Sequence, residues 1–423
     1  MSRLQLADVS LVFGAEPLVG QRSGVGRYTG QILDALVQRR AVKELRLVCN
    51  GRWLPLDTTL ASPEVQERAG QPPTTVVDGA RTTVRTALRR LLHSLPGYVP
   101  VRHWTISVSP LSQARRVRRY MANPPANTLY HEPNFVLRKF AGPAVTTVHD
   151  LGWIRYPTFI DEATLDILRR GMPDTLARAE RIITVSRFIA DELVDVFGVD
   201  PARVSVTPLG VSEEFYPRGA ASTEPVLRTY GLRHGRYLLS VATLDPRKNL
   251  RGLIAAFDRL PRALQERFPL VLAGPKGWDN TWHPAAQHLE RTQRLRRLGF
   301  VPDEHLPVLY AGATSLLMPS FYEGFGLPVL ESMASGTPVV ASNRASLPEV
   351  TGDAALLLDP DDNDALRDAI RAILEDSALR KDLRARGLTR SRAYTWARTA
   401  DATLRVYAET LGLPHPAAAA RSI

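Results

Sequence analysis

Two glutamates, Glu323 and Glu331, flank a bend of small residues in the stretch SFYEGFGLPVLESMASGTPVVAS, which runs from Ser320 to Ser342. Gly324 and Gly326 let a backbone come close to a ligand and present peptide N–H groups to it. Pro328 stands where the first residue of a helix is expected, and a helix start favours an anion such as a diphosphate. A carboxylate directly against that anion would be unfavourable. Glu331, about one turn into the helix, therefore suits ribose hydroxyls as a two-oxygen acceptor. Glu323, across the bend, can hold hydroxyls of a second sugar or face positive charge developing on it.

Such a bend works only at the end of a strand, and the sequence supplies the strands. LRLVCN (45–50), TLYHEP (128–133), AVTTVHD (144–150), RIITVS (181–186) and RVSVTPLG (203–210) read as strands, with helical patterns at 161–179 and 187–197. A small, polar segment follows, PRGAASTEP from Pro217 to Pro225. The pattern then restarts with RYLLSVA, PLVLAG, LRRLGFV, TSLLMPS, TPVVAS and AALLLDP, and helices fit at 249–260, 303–312, 328–335 and 363–375. Alternating strands and helices predict parallel sheets with helices on both faces. The expectation is an α/β chain of two doubly wound, Rossmann-like domains. Residues 1–217 form the first and 230–395 the second, with a linker near 217–230. The helical tail RSRAYTWARTADATLRVYAETLG should cross back, with 396–413 packing on the first domain.

A chain of 423 residues with 44% hydrophobic and 23% charged residues fits two soluble domains. No apolar run approaches the ~20 residues a membrane-spanning helix needs. Neither a signal peptide nor an intrachain disulfide is expected, since Cys49 is alone, and the reading is cytoplasmic. The net charge of +11 is local. From Gly79 to His131 there is no Asp or Glu but nine Arg, so this stretch carries +9 and the rest +2. Arg81, Arg85 and Arg89 recur at helical spacing beside Val84, Leu88, Leu91, Leu92 and Leu95. Two readings stay open: a basic amphipathic helix on an anionic membrane, or a solvated Arg-rich face.

The Glu-x7-Glu pair in its strand–loop–helix setting resembles the signature of retaining GT-B glycosyltransferases of family four. SGVGRYTGQIL, TVHDLGW, ITVSRFIADEL, TPLGVSEEFYP, SVATLDPRKNL, LVLAGPKG and LGFVPDEHLPVLYAGA are similar to family segments in the same order. The resemblance implies a GT-B fold in which the first domain takes the acceptor and the second a nucleotide sugar. Lys248 matches the lysine that neutralises the donor diphosphate. Many members carry an Arg where this chain has Thr243, and Arg247 is the substitute the resemblance leaves. His149 matches a histidine near the transferred sugar, with Asp150 beside it. The implied catalytic set is His149, Asp150, Arg247, Lys248 and Glu323. The implied donor-binding set is Gly24, Gly26, Arg247, Lys248, Val301, Gly324, Phe325, Gly326, Leu327 and Glu331. Glu132, in YHEPNF, is a further candidate that could face the acceptor.

TLDPRKN and YEGFGLPVLE resemble bacterial mannosyltransferases that build surface polysaccharides such as lipopolysaccharide from GDP-mannose; a UDP-sugar donor is the alternative. The implied partners are the donor, a lipid-linked or oligosaccharide acceptor and, through 81–119, an anionic membrane at its inner face. No cofactor is expected. No metal is expected either, because DPDD at 359–362 is placed to cap the helix after it, and His283, His288 and His305 lack ligand spacing. GVGRYTG departs from Gly-x-Gly-x-x-Gly, since its third glycine is Gly30, which weakens the rival reading of an NAD-bearing sugar-nucleotide epimerase. A nucleic-acid-binding protein is the other rival. Few aromatics (Tyr98, Trp104, Tyr120) interleave the basic stretch, which argues against it.

Overall fold

A computed structural model of the chain describes residues 5–19, 24–56, 110–275, 277 and 283–414. The first sheet comprises β1 (Ser10–Gly14), β2 (Glu44–Cys49), β3 (Arg52–Leu54), β4 (Thr128–Glu132), β5 (Ala144–Val148), β6 (Arg181–Thr184) and β7 (Val204–Val206). The strands lie in the order β3-β2-β1-β4-β5-β6-β7, all parallel except the β2–β3 edge pair. The second sheet holds β8 (Leu238–Val241), β9 (Leu270–Ala273), β10 (Leu295–Gly299), β11 (Ser315–Met318), β12 (Val339–Ser342) and β13 (Ala355–Leu358), in the order β10-β9-β8-β11-β12-β13 and fully parallel.

β4, β5, β9, β11 and β12 are buried at every residue. Helices cover both faces, which is why these strands lack a polar, solvent-facing alternation and why even the polar residues of β4 and β5 are buried. Each sheet reverses its winding beside its first strand, between β1 and β4 and between β8 and β11. Such a reversal opens a crevice at the carboxyl ends of the strands.

The central strand β1 is missing from the strands read off the sequence. Its short apolar run after ADVS has no period to separate strand from helix. The segment expected as a linker, 217–230, is mostly a helix, Ala220–Thr229, with Thr223 and Leu227 fully buried against the helix Leu306–Gly312. Burial of Leu227 outweighs the loop-like composition, and Thr223 Oγ1 lies 2.9 Å from His234 Nδ1. Pro328 falls on the second residue of Leu327–Ala334, because Gly326, at φ +103°, is the residue that turns the chain into the helix.

The tail is broken. One helix ends at Ser391, and another, Trp396–Thr410, starts where the Thr395 side chain accepts from Arg398 N at 3.3 Å. That last helix packs on the helix Gly24–Gln38 and on β5 and β6, which carries it back to the first sheet. Tyr407 Oη sits 2.6 Å from His131 Nδ1, and Asp401 pairs with Arg39. The basic helix read over 81–95, whether membrane-facing or solvated, lies outside the described residues. Arg115, Arg116, Arg118 and Arg119 are exposed on the helix Pro110–Ala122. Among the described residues no helix is long and apolar enough to cross a membrane.

Candidate active site

The residues singled out from the sequence meet where strands of both sheets end. β8 leads to the turn Pro246–Lys248, β11 to the loop with Glu323 and Gly324, and β5 to His149 and Asp150; beyond β1 begins the helix Gly24–Gln38. Between them lies a cleft of about 360 Å³ whose walls include Gly24, His149, Asp150, Lys248, Val301, Glu323, Gly324, Phe325, Gly326, Leu327 and Glu331. Gly26 is buried in the first turn of its helix and Arg247 is outside the lining.

Lys248 Nζ donates to both oxygens of Glu323, at 2.7 and 2.8 Å. Both partners belong to the second domain, and both are largely buried. Glu331 makes a different pair: its Oε1 accepts from Arg27 Nη1, which comes from the first domain. Arg27 Nη2 also lies 3.9 Å from Asp303. Burial pushes the Glu331 carboxyl above its ordinary range while the Arg27 guanidinium pulls it back; Glu331 in turn holds Arg27 more firmly protonated.

Arg247 is committed elsewhere. Its Nε and Nη2 donate to Asp245 Oδ2 at 2.9 and 2.7 Å, and Nη1 lies 3.7 Å from Asp150. Thr243 occupies the cleft wall where an arginine is common in the family it resembles. Lys248 is therefore the described cation nearest the Glu323 loop.

His149 is nearly buried, and its Nε2 lies 2.7 Å from the Pro133 carbonyl. A carbonyl only accepts, so Nε2 carries the proton. Burial lowers the affinity of the ring for a second one, leaving Nδ1 as an acceptor. The Tyr28 ring packs edge-on at 5.0 Å. Glu132 is not in the cleft wall. It ends β4 under Gly14, where an added Cβ would come within 2.7 Å of its Oε1, and it accepts from Tyr130 Oη at 2.6 Å. Burial, reinforced by Glu16, pushes its carboxyl up to about 8.

The Glu323 loop inserts into the first domain. An added Cβ on Gly324 would lie 2.1 Å from the His149 carbonyl oxygen, so only glycine fits there. Ser186 Oγ donates to Gly324 O at 2.8 Å, and Tyr322 Oη accepts from Leu151 N at 2.9 Å while donating to the buried Glu192. Nearby, the Glu349 carboxylate of the second domain accepts from Arg187 N and Phe188 N at the start of the helix Arg187–Phe197. That placement suits the positive end of the helix.

Among the cleft residues beyond the sequence reading are Arg27 and Phe300. Arg27 sits in a quoted segment, SGVGRYTGQIL, but its only signal was a cation three residues into a Gly-rich helix start. Phe300, 56% exposed at the cleft edge after β10, offers an aromatic face to solvent. DPDD holds no ligand-like cluster. Asp362 caps its helix by accepting from Asp364 N and Ala365 N, and Asp359 and Asp361 pair with Arg344. Among the described residues no group of three or more His, Cys, Asp or Glu could hold a metal ion.

Comparison with known proteins places this geometry. Residues 232–390 match the family model for glycosyl transferases group 1, and residues 22–215 match that for glycosyltransferase family 4. The O-antigen chain mannosyltransferase B of Escherichia coli is 34% identical over 404 residues, 94% of this chain and 99% of that protein. Sucrose-phosphate synthase from Thermosynechococcus elongatus shares the fold with a TM-score of 0.66 at 21% identity, over 96% of this chain and 99% of that one. Anabaena HepE in complex with UDP and glucose does so at 0.61 and 16%, with the same coverage. Two parallel-sheet domains with a cleft between the carboxyl ends of their strands, matched along nearly the whole chain, make this protein a member of the family 4, group 1 glycosyltransferases, an enzyme of GT-B fold.

Proposed function

We propose that the enzyme transfers mannose from GDP-mannose, with retention of anomeric configuration, onto a lipid-linked or oligosaccharide acceptor in the assembly of an O-antigen-like surface polysaccharide. The observation that carries the reading is the cleft itself: Lys248 and Glu323 face each other beside the start of the helix Leu327–Ala334, with Glu331 further along it. The name of the Escherichia coli relative supports mannose as the sugar and an O-antigen chain as the product.

The donor diphosphate takes the place of the Glu323 carboxylate on Lys248 and meets the N–H groups of the Gly324–Leu327 bend. Glu331 turns from Arg27 to the ribose hydroxyls, and Phe300 offers a face for the base. The bond between the anomeric carbon and the phosphate oxygen breaks, and the acceptor hydroxyl oxygen bonds to that carbon on the same face. The acceptor proton passes to the departing diphosphate. The protein contributes position and charge: Lys248 and the helix start stabilise the leaving group. His149, neutral with Nδ1 as acceptor, is placed to hold a sugar hydroxyl.

The experiment is a donor panel. The full chain is incubated with an oligosaccharide acceptor and GDP-mannose, UDP-glucose or UDP-N-acetylglucosamine. Nucleoside diphosphate release and the anomeric coupling of the product are then read by NMR. Turnover of GDP-mannose to an α-mannoside supports the proposal; turnover of a UDP-sugar alone, or an inverted product, overturns it. Peripheral contact with anionic membrane belongs to the same reading, supported by the four exposed arginines of Pro110–Ala122.

A further inference from the structure

The second domain carries another concavity, at the opposite edge of its sheet. Its walls come from the segments that enter the strands: Arg236 precedes β8, Phe268 precedes β9, Thr314 precedes β11 and Pro338 precedes β12. The catalytic cleft lies where these strands leave the sheet, and four-residue strands separate the two by roughly 13 Å of backbone. The space is about 460 Å³, larger than a single phosphate and within the range of small-molecule sites.

Its charge is one-sided. Arg236, Arg267, Arg380, Lys381 and Arg384 line it, and no carboxylate does. Among the described residues none of these five cations is ion-paired. The acids nearest in sequence are engaged: Glu266 pairs with Arg262 at 2.7 Å, Asp382 pairs with Arg386, and Asp376 Oδ1 accepts from Ala378 N and Leu379 N. Arg380 has a structural task as well, donating to Ile373 O at 2.6 Å and Leu374 O at 3.0 Å. Thr314 and the buried Phe268 also line it. Cations gathered without counter-charge repel one another. An oxyanion relieves that repulsion, since guanidinium forks match phosphate oxygens in geometry and charge.

We propose that this pocket is a second, non-catalytic site that binds the phosphate of a phosphorylated ligand, held by Arg236, Arg384 and Lys381. A soluble phosphate ester and a lipid head group present the same chemistry, and the experiment separates them.

Inorganic pyrophosphate is titrated calorimetrically into the full chain, into the double variant Arg236→Gln/Lys381→Gln and into Lys248→Ala. Neither Arg236 nor Lys381 has a side-chain hydrogen bond or ion pair among the described residues, so the double variant should fold; retained glycosyl transfer confirms that. Pyrophosphate should bind the double variant at least about tenfold more weakly than the parent and should still bind Lys248→Ala at this site. Co-sedimentation with vesicles of phosphatidylcholine, with and without phosphatidylglycerol, forms the second arm. Anionic-vesicle binding that the double variant loses assigns the phosphate to a lipid. Pyrophosphate binding without vesicle binding assigns it to a soluble ester. Parent and double variant behaving alike in both arms overturns the proposal, as does pyrophosphate binding that Lys248→Ala alone abolishes.

Discussion

The two glutamates of the cleft stand on one short loop-and-helix unit, yet they are held in different ways. Glu323 is paired within its own domain, both oxygens on Lys248, while Glu331 is paired across the cleft with Arg27. The first pair travels with the second domain whatever the first domain does. The second pair exists only while the domains face each other as they do here. Each of these buried carboxylates thus has a cation beside it, which offsets part of the cost of burying charge there. A donor that displaces the first pair changes charge at the reacting centre, and one that displaces the second changes how the domains are tied together.

The comparison breaks most visibly at Lys248. Lys248→Ala should lower kcat by roughly 10²–10³-fold, the usual cost of losing one preorganised group that stabilises leaving-group charge. A kcat close to the parent's would mean that Lys248 serves only to neutralise Glu323. A third carboxylate, Glu132, has neither arrangement and so acts as a reference for what pairing does. Its folded-state carboxyl is pushed up to about 8, above the ordinary 4.5, by burial first and Glu16 second. Its contribution to stability is therefore fully present below pH 4.5 and lost as pH rises through 8. Glu132→Gln cannot ionise, so thermal unfolding should show the parent losing more stability than the variant across that window. Parallel curves would put the group among the ordinary acids.

Smaller effects sharpen the contrast. Glu331→Ala should weaken binding of the donor nucleotide by about 1–3 kcal/mol in calorimetry, since ribose hydroxyls lose their acceptor. Unchanged affinity would remove the ribose from Glu331 and leave it as a tie between domains. A double-mutant cycle of Arg27→Met and Glu331→Gln, followed by thermal unfolding, should show a coupling of about 1 kcal/mol or more, because each single change strands a partly buried charge. Strict additivity would show that the pair does not bind the domains to each other. The smallest effect is expected at Arg247: with its guanidinium on Asp245 and outside the cleft wall, Arg247→Ala should change kcat by no more than about fivefold. A loss matching that of Lys248→Ala would show that Arg247 swings into the cleft when donor binds.

Particular elements show what could be read early. The helices 187–197 and 363–375 stand as the sequence suggests, because each has a local stop or start signal. Ser186 and Asp362 cap their first turns, and Gly198, at φ +64°, ends the first helix. The strands between them follow from buried apolar runs ended by polar or small residues. β1 and the helix Ala220–Thr229 were not legible, since one lacks a period and the other is a loop-like composition that becomes a helix through burial of Leu227.

The sequence by itself determined the α/β architecture, the repeated winding and the placing of Glu323 and Glu331 on either side of a strand–loop–helix bend. The architecture and winding rest on local spacing, that is, period, caps and the residue that follows a strand, whereas Gly24, His149 and Lys248 were marked by resemblance to family segments. Only the tertiary structure decided that Glu331 is held by Arg27, 304 positions away, that Arg247 turns to Asp245 and Asp150, and that Glu132 lies beneath Gly14. It also drew five cations, none of them ion-paired among the described residues, from segments scattered between Arg236 and Arg384 into one pocket. The reason is physical: a side chain's partner and its desolvation are set by whatever the folded chain packs against it, and a run of neighbours in sequence carries no record of that.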